Sequence, residues 1–191
     1  VPKIVMSSSS IRFHIAFLSG KKGEPSYKII VEPAKRNTGP AMLAASLINE
    51  IPIDQAMLFL SSDHLIDNTA LFNKSIKKSI PNLDKNNIFV FGIKPKSASD
   101  QFGYFLTKRK KNLDKVYRFI EKPKLLMAKK LIKQRGFWNS GIFLLRKDSL
   151  INNFQKFEKK IYLNCRKAVG KAIQSNNIFY LNTKEFKKNK S

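Results

Sequence analysis

The chain has 191 residues, of which 37 are lysine or arginine and 13 are aspartate or glutamate, giving a formal net charge of +24. Its hydrophobic content of 42% and aromatic content of 11% suffice for a sizeable core, which excludes wholesale disorder and favours one domain. No apolar run approaches the roughly eighteen residues of a membrane span, and the first residues lack a secretory signal pattern. We therefore expect a soluble protein without a membrane partner.

Cys165 is the single cysteine of the chain, which excludes an internal disulfide and a cysteine-based metal cluster. Cysteine used in this way fits a reducing compartment, so the expected location is the cytoplasm. The neighbouring Arg166 and Lys167 can favour a thiolate, but no histidine is close in sequence to act as its base. The sequence therefore favours an inert thiol.

The excess of positive charge raises the question of nucleic-acid binding, because Lys and Arg neutralise phosphates. Seven of the basic residues are arginine and thirty are lysine; Lys, Asn and Ile, which share A/T-rich codons, together make 66 residues. Specific nucleic-acid sites depend on arginine for its planar fork. We therefore expect no specific nucleic-acid partner, and a basic nucleic-acid-binding protein stays the less favoured alternative.

Short apolar runs alternate along the chain with amphipathic stretches, which is the pattern of an α/β fold. The runs predict strands at residues 3–6, 27–31, 57–60, 88–93, 104–107, 116–120, 142–145 and 178–181. The amphipathic stretches predict helices at residues 11–19, 41–50, 69–79, 124–134, 148–157 and 160–174. Several strands are apolar throughout, which indicates a sheet covered on both faces.

Local signals add detail to these elements. Thr38 can cap the helix at 41–50, and Pro40 fits a first turn, where its missing N–H costs little. Residues 108–111 predict a polar, hairpin-like connection, and the lysine-rich tail at 184–191 is expected to be frayed. Since no repeat or glycine-rich linker interrupts the chain, the sequence predicts a single domain over residues 1–191.

Polar residues that follow apolar strands are candidates for binding, because ligands of open α/β sheets gather beyond the carboxyl ends of the strands. Asp63 follows the strand at 57–60 and offers the hard oxygen ligand that Mg²⁺ accepts, although an N-cap or turn aspartate fits the position equally well. The adjacent His64 is more typical of a structural histidine.

The segment after the strand at 27–31 contains Glu32 and then Arg36, Asn37 and Thr38 before a predicted helix. Free N–H groups at a helix N-terminus favour an anionic or acceptor-rich ligand. Simple capping of the helix explains the same residues.

Three further positions offer groups suited to a phosphorylated sugar. Glu121 and Lys122 can serve one ligand if the chain turns at Pro123, the carboxylate binding hydroxyls and the ammonium a phosphate. A solvated surface pair is the alternative. Gly103 lets a ligand approach the main chain or simply forms a turn, and Asn139 lies in a small polar cluster that precedes the strand at 142–145.

Taken in order, these segments resemble motifs of the bacterial mannose-1-phosphate guanylyltransferases, over about residues 1–186. Each motif alone is short, but five in family-like order and spacing are far more specific. The matching segments are 32–41 with E-P-x-x-R-N-T-A-P-A, 62–64 with A-D-H, 102–105 with Y-G-Y-I, 119–123 with F-V-E-K-P and 138–143 with W-N-S-G-M-F.

The resemblance implies a Rossmann-like, three-layer α/β nucleotidyltransferase fold with a mixed, mostly parallel sheet. It implies transfer of GMP from GTP to mannose 1-phosphate with Mg²⁺, releasing pyrophosphate. By the same resemblance, Glu32, Arg36, Asn37 and Thr38 bind the nucleotide; Gly103, Glu121 and Asn139 bind the sugar; Lys122 meets the sugar phosphate as a catalytic residue; and Asp63 is catalytic and binds the metal.

The chain also departs from the family pattern. Nothing in it matches the family's G-G-x-G-T-R-L-x-P-L-S-R and S-I-D-Y-x-x-M-E-K segments, Gln101 replaces a glycine and Gly39 replaces an alanine. We therefore expect a domain that is incomplete at both ends, with little or no turnover by itself. A non-catalytic sugar-phosphate or nucleotide-binding remnant is the alternative, and a homo-oligomer is left open.

Overall fold

The computed structural model describes residues 3–8, 27–48, 51–61, 64–110 and 113–189. The chain divides into two compact units: unit 1 comprises residues 1–55 and 146–191, and unit 2 comprises residues 56–145. The helix predicted at 11–19 lies outside the described residues. The single incomplete domain predicted over 1–191 stays a prediction.

Strands and helices alternate along both units, as the sequence predicts. In chain order the described elements are β1 (Lys3–Ser8), β2 (Tyr27–Glu32), α1 (Thr38–Ser46), β3 (Ala56–Phe59), α2 (Thr69–Ser79), a 3₁₀ turn (Ile80–Asn82), β4 (Phe89–Ile93), β5 (Tyr104–Lys110), β6 (Leu113–Ile120), α3 (Leu125–Lys133), β7 (Phe137–Arg146), α4 (Lys147–Phe157), α5 (Lys159–Gly170), β8 (Ile173–Ser175), β9 (Ile178–Tyr180) and α6 (Thr183–Phe186).

Unit 1 is built on a four-stranded sheet in the order β1-β2-β9-β8. Strand β2 pairs in parallel with β1 and β9, and β8 closes an antiparallel hairpin with β9. In β2 the consecutive residues Ile29, Ile30 and Val31 are all buried, which confirms that this apolar run is covered on both faces. Helices α1, α4, α5 and α6 pack against one another in the same unit.

A buried lysine joins two segments of unit 1. Lys147 is 5% exposed, and its Nζ donates hydrogen bonds to the carbonyls of Ile48 at 2.9 Å and Ile51 at 2.6 Å. Burial lowers the pKa of Lys147, and the two carbonyls just after α1 offset the cost of burying its charge. The start of α4 is thereby fixed to the end of α1.

The C-terminal tail is ordered through residue 189, so the expectation of a frayed tail is wrong for residues 184–189. Residues Thr183–Phe186 form α6, whose N-cap Asn182 accepts a hydrogen bond from the Glu185 N–H. Phe186 is fully buried and Asn189 is 3% exposed. Burying the Phe186 ring stabilises the folded position of this segment, although its lysine-rich composition is typical of a solvated tail.

Unit 2 is built on a sheet in the order β3-β7-β5-β6, with β4 also paired to β7. Tyr104 and Leu106 of β5 pack against Ala128 and Leu131 of α3, so this helix covers one face of the sheet. Helix α2 spans Thr69–Ser79 as predicted, because Asn68 caps it by accepting from the Leu71 N–H at 2.8 Å.

Five of the predicted helices and all eight predicted strands are found, with shifted ends. Strands β5, β6 and β7 are longer than predicted. Residues 108–110, predicted as part of a connection, belong to β5, and residue 111 lies outside the described residues. The helix predicted at 160–174 ends at Gly170, because Ile173–Ser175 pairs with β9. Thr38 is not the cap of α1: it is the first helical residue, and Asn37 is the N-cap.

The structure confirms an α/β fold with a mixed sheet. Parallel pairing joins β1 to β2 and β2 to β9, whereas β4–β7, β5–β6, β5–β7 and β8–β9 pair antiparallel. The connections from β5 to β6 and from β8 to β9 are short hairpins, which join antiparallel strands. In the part of the chain that the structure describes, no helix is long and apolar enough to cross a membrane.

The C-terminal turn predicts a specific dependence of stability on pH. The Glu185 carboxylate lies 2.6 Å from Lys188 Nζ and 3.1 Å from Lys171 Nζ, and hydrogen bonds from these ammonium groups lower the pKa of Glu185 to about 2. Because the pKa of Glu185 is lower in the folded than in the unfolded chain, its ionised carboxylate stabilises the folded chain at pH values above the unfolded-state pKa. This stabilisation is lost as the pH falls through the folded-state pKa. We expect the difference in unfolding free energy between the wild type and E185Q to shrink from about pH 5 to about pH 2.

Denaturant unfolding at a series of pH values measures this difference. The control is E158Q, which removes the same charge from an exposed position. A difference between the wild type and E185Q that stays constant over this pH range would contradict the prediction.

Candidate functional site

The polar cluster around Asn139 lies inside a strand, which corrects the expectation that it precedes one. Strand β7 runs from Phe137 to Arg146, and Asn139 pairs with Gly92 of β4. The register then shifts: Val90 pairs with Phe143, so one residue of β4 faces three residues of β7. Residues 140–142 therefore form a bulge, and bulges are a common means of aiming a side chain at a site.

The three predicted sugar-binding residues lie close together, with Gly103 between the other two. The backbone N–H of Asn139 donates to the Gly103 carbonyl at 2.7 Å. A Cβ atom at Gly103 would lie 2.6 Å from Glu121 Oε2 and 3.0 Å from Phe119 Cζ. The structure therefore brings Gly103, Glu121 and Asn139 together within unit 2, and their role in binding sugar stays a prediction.

Lys122 is where the chain turns after β6. Its backbone φ is +43°, in the left-handed region that non-glycine residues seldom adopt. Glu121 and Lys122 are both exposed and lie in a bend before Pro123, so they do not continue the strand. The sequence predicts that the pair can serve one ligand if the chain turns at Pro123; the turn exists, one residue earlier.

The aromatic residue beside Asn139 belongs mainly to the core. Trp138 packs against the cluster formed by β5 and α3, and its ring centroid lies 4.8 Å from that of Phe102. Trp138 therefore serves mainly to pack the core of unit 2. Its indole Nε1 is buried without a hydrogen-bond partner among the described residues.

The predicted nucleotide-binding residues lie in unit 1, at the end of β2 and the start of α1. Glu32 is the last residue of β2 and is half-buried, and burial raises the pKa of its carboxyl above the ordinary value. Asn37 has a φ of +63° and its side chain makes no capping hydrogen bond, while Thr38 is exposed. The alternative that these residues simply cap the helix is thus not supported, because the N-cap side chain makes no capping hydrogen bond. Their contact with a nucleotide stays a prediction.

Arg36 has a structural partner that the sequence does not indicate. Its Nε and Nη2 donate to the carbonyl of Lys187 at 3.4 and 3.2 Å, and its Nη1 donates to the Lys35 carbonyl at 2.9 Å. The segment before α1 is therefore tied to the C-terminal turn, 151 residues later in the chain. The acceptor is a backbone carbonyl, so no side-chain pattern in the sequence could have revealed it.

Cys165 has the environment of an inert thiol, as the sequence predicts. It is fully buried, lies 3.7 Å from the Pro40 carbonyl and accepts a hydrogen bond from Asn189 Nδ2 at 3.4 Å. Burial raises the pKa of this thiol to about 12, so the thiolate is not formed at neutral pH.

Asp63, the predicted metal ligand and catalytic residue, lies outside the described residues. Within the described ranges, no group of three or more His, Cys, Asp or Glu side chains could hold a metal ion. The exposed His64 next to it belongs to no such group. The described residues alone therefore do not form a Mg²⁺ site, and the metal stays a prediction.

Comparison with known proteins decides the family. The family model described as nucleotidyl transferase matches residues 3–183. The chain belongs to the nucleotidyl transferase family.

Relatives within this family are mannose-1-phosphate guanylyltransferases. The protein of that name from Klebsiella pneumoniae is 32% identical over 176 residues, covering 88% of this chain and 37% of the relative. Mannose-1-phosphate guanylyltransferase RfbM from Salmonella typhimurium is 30% identical over 189 residues, covering 96% of this chain and 40% of the relative. The chain thus spans about two fifths of the length of the curated relatives it matches.

A solved structure supports the fold. The crystal structure described as mannose-6-phosphate isomerase from Helicobacter pylori superposes with a TM-score of 0.84 at 23% identity, over 98% of this chain and 73% of that one. At this identity the likeness establishes the nucleotidyltransferase-type, Rossmann-like fold of this family member.

The same substitution is expected to cost different amounts of stability at two glycines of unit 2. In G92A the added methyl would lie 2.7 Å from Phe105 Cζ and 2.8 Å from Phe137 Cβ, and a packed β-carbon cannot move away easily. We expect G92A to lose about 1–3 kcal/mol of unfolding free energy. In G103A the closest atom is the end of the exposed Glu121 side chain, which can swing aside, so we expect a smaller loss but a displaced carboxylate.

Denaturant unfolding of G92A and G103A compares the losses, and a crystal structure of G103A locates Glu121. Equal losses in the two variants, or an unmoved Glu121 in G103A, would contradict the packing described around Gly103.

Proposed function

We propose that this chain binds a sugar 1-phosphate and a nucleotide for the guanylyltransferase reaction of its relatives. In that reaction, a phosphate oxygen of mannose 1-phosphate attacks the α-phosphorus of GTP. A new P–O bond forms, the bond from the α-phosphorus to the bridging oxygen breaks, and pyrophosphate leaves. The products are GDP-mannose and pyrophosphate.

The observation that carries this proposal is the meeting of Glu121 and Asn139 at Gly103. A carboxylate, an amide and an approachable backbone within one small region are the groups that bind sugar hydroxyls. In this proposal Glu121 accepts hydrogen bonds from hydroxyls, and Asn139 contributes its amide. Both lie on strands or directly after one, which holds them more rigidly than a long loop would.

In this proposal Lys122 supplies the positive charge next to Glu121. An ammonium group next to the sugar-binding carboxylate suits the phosphate of a sugar 1-phosphate. The attacking phosphate oxygen needs no strong general base, so the residues of the chain act by positioning two anions and neutralising charge. Lys122 therefore serves the phosphate, while Glu121 and Asn139 serve the hexose.

In unit 1, the proposed nucleotide-binding residues are Glu32, Arg36, Asn37 and Thr38. The start of α1 carries no side-chain cap, and uncapped N–H groups at a helix start favour anionic or acceptor-rich ligands. Arg36 already donates to the Lys187 carbonyl, so we propose that it holds this segment in place as well as adding positive charge.

Mg²⁺ is the metal that we propose to accompany the nucleotide, with Asp63 as a ligand. Because the described residues do not by themselves form its site, no step of the mechanism above is assigned to it. Its involvement is testable directly, by comparing nucleotide binding with Mg²⁺ and with a chelator.

Binding and turnover test the proposal separately. Isothermal titration calorimetry with mannose 1-phosphate, glucose 1-phosphate and GTP measures binding, and pyrophosphate release in the presence of GTP, Mg²⁺ and mannose 1-phosphate measures turnover. We expect binding of mannose 1-phosphate and little or no turnover, because no segment of the chain matches the glycine-rich motif. No binding of either sugar phosphate would overturn the proposal.

Two lysines flanking Pro123 provide a matched test of the phosphate contact. Lys122 and Lys124 are both exposed and carry the same charge, but only Lys122 has the left-handed backbone of the turn. We expect K122A to weaken mannose 1-phosphate binding by about tenfold or more, the cost of one charged hydrogen bond. K124A is expected to leave the affinity within about twofold.

A third variant separates the hexose from the phosphate. N139A should weaken binding of mannose 1-phosphate without changing the affinity for GTP, and N73A on the exposed face of α2 should change neither. Equal effects of K122A and K124A, or of N139A and N73A, would argue against the assigned roles.

A further inference from the structure

We propose that Ser140 is the positioning residue that holds Asn139 in place for the sugar phosphate. This inference rests on the proposed function for the role of Asn139. It adds a residue whose side chain would not touch the ligand and acts through the geometry of the β7 bulge.

The bulge creates the need for such a residue. Because Phe91 of β4 faces residues 140–142 of β7, the regular ladder of backbone hydrogen bonds is interrupted there. Backbone groups buried without partners are costly, so a bulge in a packed sheet persists when a side chain replaces the missing bonds.

The Ser140 hydroxyl replaces those bonds. Its Oγ donates to the Phe91 carbonyl at 2.6 Å and accepts from the Ile142 N–H at 3.2 Å. Ser140 is 5% exposed, so these bonds form away from water and are worth more than exposed ones. One hydroxyl thus links the bulge to β4 and also spans the bulge along β7.

The next bond connects this arrangement to Asn139. The Gly141 N–H donates to Asn139 Oδ1 at 3.2 Å, and Gly141 has a φ of +70°, which a glycine adopts without strain. The Asn139 amide is therefore oriented by the residue that follows Ser140. If Ser140 no longer holds the bulge, the hydrogen bond from the Gly141 N–H to Asn139 Oδ1 is weakened and the Asn139 amide is no longer held in one orientation.

Amide hydrogen exchange of Gly141 tests this relation without any ligand, because that N–H bonds to Asn139 Oδ1. In S140A we expect exchange at Gly141 to become about tenfold faster, the change produced by losing a net hydrogen bond. N139A provides the reference rate for a Gly141 N–H without its acceptor. S140C nearly keeps the size of the side chain but is a weaker hydrogen-bonding group, so it should also accelerate exchange at Gly141. It provides the same test if S140A fails to fold.

The matched control is S149A. Ser149 is 1% exposed, but its hydroxyl has no hydrogen-bond partner among the described residues. Removing it deletes the same atom from an equally buried position without releasing a bulge. We expect unchanged Gly141 exchange in S149A, and an acceleration equal to that in S140A would overturn the proposal.

Ligand binding supplies the second readout. We expect S140A to weaken mannose 1-phosphate binding by about the same factor as N139A, and to leave GTP binding unchanged. Weaker binding with unchanged Gly141 exchange, or faster exchange with unchanged binding, would overturn the positioning role. If the wild type binds no sugar phosphate while S140A still accelerates Gly141 exchange, the proposed function fails and the coupling of Ser140 to Asn139 stands.

Discussion

The candidate sugar site depends on the close approach of strand ends at Gly103. The Gly103 carbonyl accepts from Asn139, and the place that a side chain would occupy is taken by the carboxylate of Glu121 and the ring of Phe119. Residues 103, 121 and 139 are 18 apart in sequence, and antiparallel pairing of β5 with β6 and β7 brings them together. A larger residue at position 103 would push Glu121 away from Asn139, and the proposed ligand contacts both residues at the same time.

The apolar core of unit 2 supports this arrangement from the other face of the sheet. Side chains alternate along a strand, so Tyr104 and Leu106 point away from Gly103 and pack on Ala128 and Leu131 of α3. The Tyr104 hydroxyl donates to the Ser99 carbonyl and accepts from its N–H, which fixes the loop leading into β5. A polar site on one face is thus held by a packed core on the other.

Local sequence patterns predicted most of the helices and strands, but they could not predict contacts between residues far apart in the chain. Helix α2 could be predicted to the residue, because its amphipathic spacing is a local signal. The buried run of β2 was likewise visible. The ordered C-terminal turn was not, because it depends on Phe186 reaching the core and on Arg36 reaching the Lys187 carbonyl. The motif resemblance found Asn139, but the bulge that presents it arises from pairing with β4, which no single segment encodes.

Left-handed backbone conformations occur in the candidate binding segments as well as in ordinary turns. Five described residues have left-handed φ values: Asn37, Lys122, Arg135, Gly141 and Asn176. Two have routine structural causes: Arg135 ends α3 with the Gly136 N–H bonded to the Leu131 carbonyl, and Asn176 lies in a two-residue hairpin loop. The other three each lie in a segment that the resemblance assigns to nucleotide, sugar phosphate or sugar. Left-handed residues cost free energy and persist where surrounding structure enforces them, often at functional sites. Asn37 and Lys122 lie neither at a helix C-terminus nor in a two-residue hairpin loop, so they lack the local causes found at Arg135 and Asn176. We propose ligand contact as the role of both segments, and a left-handed residue held by the surrounding structure is consistent with that proposal.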